Sequence, residues 1–225
     1  MTWKEHIDNE GKKAYFLELK EFIKEERKTK TIVPNSSMLF NCFKHFEFQQ
    51  TRVVIIGPEP YADTKFADGL CWSSNNTKQT LAMKYIIDEI VNDWAPNFRN
   101  NLQMGFHTNS LLGWAKQGIL LLNARLTTEQ GKKEAHENKG WETFTENTLR
   151  LISSELNNVV FILWGTGNYK KFIDTEKHLI LESSIPTAKA NNTFKGCKHF
   201  SETSRYLNET SKFSKTPINW FIINN

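Results

Sequence analysis

Along the chain, short runs in which nearly every position is apolar alternate with longer stretches in which apolar residues recur every third or fourth position. Four runs rich in β-branched residues predict strands: "VVIIG" (53–57), "GILLLN" (118–123), "VVFILWG" (159–165) and "HLILES" (178–183). Because these runs are continuous rather than alternating, both faces of each strand are expected to be covered, which favours a parallel sheet held between helices. Helical spacing fills the intervals. Met83, Ile86, Ile87, Ile90, Val91 and Trp94 mark one amphipathic helix, and Trp141, Phe144, Leu149, Ile152 and Leu156 mark another. An earlier helix, "KKAYFLELKEFIKEERK", precedes the first strand, and "HFSETSRYLNET" follows the last. The expected architecture is one α/β domain over residues 1–225, three layers α/β/α with a central four-stranded, mainly parallel sheet.

Composition narrows this picture. Of the 225 residues, 39% are hydrophobic, with 16 Phe and 7 Trp, so the chain has material for a substantial core. Cys42, Cys71 and Cys197 are odd in number and far apart, with no CxxC and no Cys/His cluster at ligand spacing, so neither disulfides nor a metal or other cofactor is expected. No apolar run approaches the roughly 20 residues of a membrane span. The start, "MTWKEHIDNEGKK", lacks the charged-then-apolar order of a signal peptide. A membrane is therefore not an expected partner, and the cytoplasm is the expected compartment. A net charge of +4 suits weak attraction to a polyanion without demanding one. The lysine-rich stretches at residues 24 to 30 and 132 to 139 read first as solvated faces.

In open parallel sheets, ligands bind at the carboxyl ends of the strands. Here those ends carry "GPEPYAD", "NARLT", "GTGN" and "SSIPTAKA" in order. Topology alone places a site among these four loops.

At these loops the chain resembles the uracil-DNA glycosylase family, in its uracil-specific branch. The match runs nearly end to end: "TWKEHIDNEGKKAYFLELKEFIKEER", "SSMLFNCFKHFEFQQTRVVIIG", "SLLGWAKQGILLLNARLTTEQGKKEAHENKGWETFT", "VVFILWG", "FKGCKHF" and "TPINW" appear in family order. The resemblance implies a monomer that flips a nucleotide into a pocket, reads its edge by hydrogen bonds and stabilises a departing uracil anion. Asn123 matches the amide that reads the uracil edge, since an amide offers both a donor and an acceptor; from the residues alone it would serve equally as a strand-end cap. Tyr61 matches the ring that excludes a thymine methyl. Trp72 stands where the family has a stacking Phe, and Pro58 and Ala62 complete this part of the pocket.

The catalytic positions depart from the family. The first loop of the family reads Gly-Gln-Asp-Pro-Tyr-His, with the Asp positioning water and stabilising the sugar cation; here Glu59 carries the charge one methylene further out. A displacement of ~1 Å in a positioned group costs on the order of 10² in rate. Pro58 also removes a backbone donor. The family's fourth loop, His-Pro-Ser-Pro-Leu, donates a hydrogen bond to uracil through its His and wedges its Leu into the DNA stack. Here the His position falls on Ser184, or on Ser183 if Pro186 is matched to the second Pro. Losing such a donor costs ~10² to 10³ in rate. The wedge becomes Thr187 or Ala188, beside Lys189. His136 and His199, in matched stretches, are candidates to substitute, and neither is expected to restore full activity.

The DNA grip also changes. After "GLCWSS", in place of the family's proline-rich loop, stands "NNTKQTL"; Ser73 and Ser74 before it and Thr77 and Lys78 within it could still contact phosphates, and His136 matches a family histidine beside the DNA channel. On a loop before a helix, Asn76 or Thr77 reads equally as an N-cap. Three readings follow. The first is a pseudo-enzyme that keeps the fold and binds a partner, foremost a small acidic, DNA-mimicking inhibitor protein of these glycosylases. The second is a slow or retargeted glycosylase removing uracil or a modified pyrimidine, especially from single strands. The third is a module that binds single-stranded or uracil-containing DNA without cutting.

Overall fold

A computed structural model describes residues 1–94, 109–210 and 216–221. The chain opens with α1 (Trp3–Glu10), whose first turn is closed by a reciprocal pair: the Glu5 N–H donates to the Thr2 hydroxyl and the Thr2 N–H to the Glu5 carboxylate. Such a capping box contributes about 1 kcal/mol by satisfying amides that a helix leaves unpaired. Helix α2 (Ala14–Thr29) and a short strand β1 (Ile32–Val33) follow.

The four apolar runs become four strands: β2 (Val53–Gly57), β3 (Ile119–Asn123), β5 (Val160–Trp164) and β6 (Leu179–Ser183). They form one sheet in the order β3-β2-β5-β6, with every neighbouring pair parallel. The sheet is thus wholly parallel, as continuous apolar runs require when both faces are covered. Strand β4 (Thr128–Glu129) pairs antiparallel with β1 in a separate two-stranded ribbon that the hydrophobic pattern did not announce. Two residues per strand leave no period to read.

Helices α3 (Leu81–Trp94) and α6 (His199–Thr210) pack together, as do α2 and α5 (Trp141–Glu155), with the single turn α4 (Leu112–Ala115) leading into β3. The result is the three-layer α/β/α arrangement. Aromatic side chains fill the layers. Phe16, Phe40, Phe43, Trp141 and Phe144 interlock beneath α2 and α5, whereas Trp114, Trp164, Phe200 and Trp220 interlock around α6. Among the described residues no helix is long and apolar enough to cross a membrane, and no cluster of His, Cys, Asp and Glu is arranged to hold a metal.

Register positions the site. Gly57 at the end of β2 is directly beside Asn123 at the end of β3, and Trp164 is directly beside Ser183. Leu163 pairs with Ile56, so Trp164 follows Gly57 across the next ladder. In-register residues of parallel strands send side chains to the same face. Asn123, Gly57, Trp164 and Ser183 therefore form one row across the carboxyl end of the sheet.

Candidate active site

The row ends at Asn123, which is only 4% exposed. Its Oδ1 has no hydrogen-bond partner among the described residues. A buried acceptor left unpaired costs about 1–3 kcal/mol.

Gly57 matters for what it lacks. A Cβ there would come within 2.9 Å of the Trp72 indole nitrogen and 3.0 Å of Cε2. The edge of the Trp72 ring thus rests on the bare backbone at the strand end, beside Asn123. Trp72 has φ 63°, a left-handed backbone that turns its ring back over the sheet. Its ring centroid is 6.3 Å from that of Trp164. Across the mouth, the Tyr61 hydroxyl lies 3.0 Å from Thr80 Oγ1 and 3.3 Å from the Trp72 carbonyl oxygen. Burial raises the Tyr61 phenol to about 12, so it stays protonated as a donor. Pro58 and Gly57 give their carbonyls to the N–H groups of Arg125 and Ala124, which fastens the first loop to the second.

Glu59 is 12% exposed. One of its oxygens, Oε2, accepts the Glu134 backbone N–H at 2.8 Å and lies 3.6 Å from Arg125 Nη2. Arg125 also faces Glu134, Glu137 and Glu142 at 3.8, 3.6 and 4.0 Å. Burial raises the Glu59 carboxyl above the usual range; the Glu134 N–H and Arg125 oppose this without cancelling it. Arg125 carries no signal in the sequence, because Glu134, Glu137 and Glu142 lie further along the chain and only the fold brings them back to it.

Several expected groove residues are placed otherwise. Ser73 and Ser74 are fully buried. The Ser73 hydroxyl donates to Asp68 and accepts the Leu111 N–H, and the Ser74 hydroxyl accepts the Asn76 N–H, so neither faces a phosphate. His136, expected beside the DNA channel, is also fully buried. Its Nδ1 shares a 2.7 Å hydrogen bond with Thr127, which also accepts from Trp141 Nε1, and the edge of Phe22 closes over the ring. It is a core histidine. His199 is buried too: Trp164 Nε1 donates to its Nδ1 at 3.1 Å, and burial lowers its pKa to about 4. Neither histidine reaches the strand ends as a proton donor.

Lys78 is exposed. The cap of α3 falls on Thr80, whose hydroxyl accepts the Met83 N–H at 3.1 Å, rather than on Asn76 or Thr77. The proline-free loop is braced by buried Asn109. Its amide donates to the carbonyls of Asn76 and Lys78, and its oxygen accepts the Thr80 N–H. One side chain from a distant segment thus ties three points of this loop together.

On the fourth loop, the Ser184 hydroxyl accepts N–H groups from Thr193 and Phe194 and lies 3.3 Å from Asn192 Oδ1. The Ser183 hydroxyl donates to the Ser184 carbonyl. Thr187 and Ala188 are half-buried on the turn that follows, and Lys189 is exposed. Among the described residues, this side of the site carries hydroxyls and short side chains and no imidazole.

A family model for the uracil DNA glycosylase superfamily matches residues 43–208. The uracil-DNA glycosylase of Phocaeicola vulgatus is 40% identical over 223 residues, 97% of each chain, and that of Borrelia turicatae is 41% identical over 220 residues, 95% of each. Among solved structures, mimivirus uracil-DNA glycosylase shares the fold with a TM-score of 0.82 at 22% identity, covering 97% of this chain and 85% of that one. A variant of mimivirus UNG in complex with UGI gives a TM-score of 0.83 at 22% identity, with 97% and 87% covered. The chain belongs to the uracil DNA glycosylase superfamily.

Proposed function

We propose that the protein is a slow uracil-DNA glycosylase that hydrolyses the bond between uracil and deoxyribose in single-stranded or locally open DNA. The observation that carries this reading is the unpaired, buried Oδ1 of Asn123. In the proposed complex Oδ1 accepts the imide N–H of uracil while the amide nitrogen donates to a ring carbonyl; cytosine, with no imide N–H, would leave Oδ1 unpaired. Tyr61 stands at the mouth against a thymine methyl.

The chemistry follows from what remains around the pocket. The glycosidic bond breaks heterolytically, its electron pair leaving with uracil as an anion. The sugar cation so formed is stabilised by the Glu59 carboxylate, water adds at the anomeric carbon, and the water proton passes to Glu59 or to solvent. No cofactor enters this scheme. Without an imidazole the anion is less well stabilised, and the longer Glu59 is directed towards Arg125 and the Glu134 N–H. Both effects slow the reaction and neither abolishes it.

A second reading is favoured by one observation: the polar groups at the two altered positions are engaged within the protein, Glu59 with Arg125 and Glu134, and Ser184 with its own loop. On that reading the protein keeps the groove and binds an acidic, DNA-mimicking inhibitor protein or uracil-containing DNA without cutting, as a monomer. One experiment divides the two. Matched single-stranded oligonucleotides carrying one uracil, thymine or cytosine are incubated with excess protein, and free base is measured. Release of uracil alone supports the glycosylase; firm binding of the uracil strand with no release supports the second reading.

A further inference from the structure

Trp72 is the pocket residue whose departure from the family adds a hydrogen-bonding atom. Its indole nitrogen is buried and has no acceptor among the described residues. It lies 2.9 Å from where a Cβ on Gly57 would stand, and Gly57 is the register partner of Asn123, whose Oδ1 is also buried and unpaired. A donor and an acceptor thus stand on the same face of adjacent strand ends, both stripped of water and neither bonded to the other. Each is destabilising while it stays unpaired. Two unsatisfied groups of opposite kind, held side by side and apart, fit a planar third partner that presents both an N–H and a carbonyl.

We propose that the Trp72 indole N–H reads the base, donating a hydrogen bond to a carbonyl oxygen of the extruded uracil, and takes over the stabilisation that Pro58 and the missing imidazole no longer supply. This deepens the glycosylase reading and rests on it. Charge grows on the ring oxygens as the glycosidic electron pair moves into uracil, so a donor aimed at one of them gains strength towards the transition state. The indole keeps its proton throughout, and uracil leaves as the anion. Trp72 is then a catalytic residue rather than a stacking surface, because a ring stacked flat on the base would direct its N–H out of reach of the base edge. The contact with Gly57 fits the edge-on role: the bare backbone admits the Nε1–Cε2 edge of the ring.

The variant Trp72→Phe removes the N–H and keeps a ring of the family's kind. Under single-turnover conditions with a single-stranded uracil oligonucleotide, it is expected to lose about 10²-fold in the rate of release. If Trp72 served by bulk alone, the phenyl ring would leave the rate unchanged or raise it, and that result overturns the proposal. A second measurement uses unaltered protein labelled with 15N and titrated with free uracil. The Trp72 indole resonance, identified by its absence in Trp72→Phe, is expected to shift downfield together with the Asn123 side-chain amide, and in Asn123→Ala it is expected to stay in place. A shift of the Asn123 amide with no change at Trp72 rejects this inference and leaves the glycosylase reading standing. No shift at either group rejects both.

Discussion

Arg125 Nη2 lies 3.6 Å from Glu59 Oε2, the oxygen that also accepts the Glu134 backbone N–H at 2.8 Å. A carboxylate one methylene longer than the family's Asp is thereby held in a fixed place by a cation and an amide from the second strand's loop. Burial raises the Glu59 carboxyl and Arg125 restrains that rise. Arg125→Met should let it climb further. The ionised form does the work, so excision is lost as pH falls through the carboxyl's pKa. The acidic limb of the pH–rate profile should move to higher pH in the variant. An unchanged profile with a lower plateau would mean that Arg125 acts on something other than Glu59.

The two altered loops can be returned towards the family. Ser183 completes the row of Asn123, Gly57 and Trp164 across the sheet, whereas Ser184 spends its hydroxyl on two N–H groups of its own loop. In a Glu59→Asp background, Ser183→His is expected to raise the single-turnover rate by about 10². Ser184→His is expected to gain less, because it also breaks those loop bonds. Rescue by Ser184→His alone would reverse this assignment of the two serines.

Thr187 and Ala188 offer no side chain large enough to hold open a base stack. Extruding a base from duplex DNA costs a few kcal/mol, least where it is already unpaired. Single-stranded uracil should therefore be released at least about tenfold faster than uracil in a duplex, with each 1.4 kcal/mol of unpaid unstacking worth a factor of ten. Leu at position 187 or 188 should narrow the ratio. Equal rates on both substrates in the unaltered protein would mean that another residue supplies the wedge.

Acid should destabilise the fold early. His6, His45, His136, His178 and His199 all have lowered pKa values, with burial the leading cause for each, and His199 is lowered to about 4. A histidine whose folded pKa is depressed contributes its full stability above the unfolded value near 6.5, and that contribution is lost as pH falls through the folded value. For His199 the loss is on the order of 3 kcal/mol between about pH 6.5 and 4. Denaturant midpoints across this window should fall steadily, and His199→Gln should flatten part of the slope. A midpoint constant from pH 7 to 4 would contradict the buried, neutral imidazoles.

What was legible in the sequence was what repeats or runs. The four strands stand within a residue of their apolar runs, and α6 matches "HFSETSRYLNET" residue for residue. What was not legible depends on partners far away in the chain. A serine that contacts phosphate and one that bonds Asp68 and Leu111 look alike in sequence, and so do a groove histidine and His136 under Phe22. Asn109 gave no signal because its three bonds close a loop some thirty residues earlier. Arg125 sat inside the matched stretch "NARLT", but its role appears only when the 134–142 segment folds back over it.

The most direct test is the single-turnover release of uracil from a labelled single-stranded oligonucleotide, with protein in large excess and long incubation, by the unaltered protein and by Asn123→Ala. Slow release that disappears in Asn123→Ala is the predicted result, since in the proposed complex the buried Oδ1 holds the base. Release that persists at the same rate in Asn123→Ala, or none from the unaltered protein at any time, would contradict it.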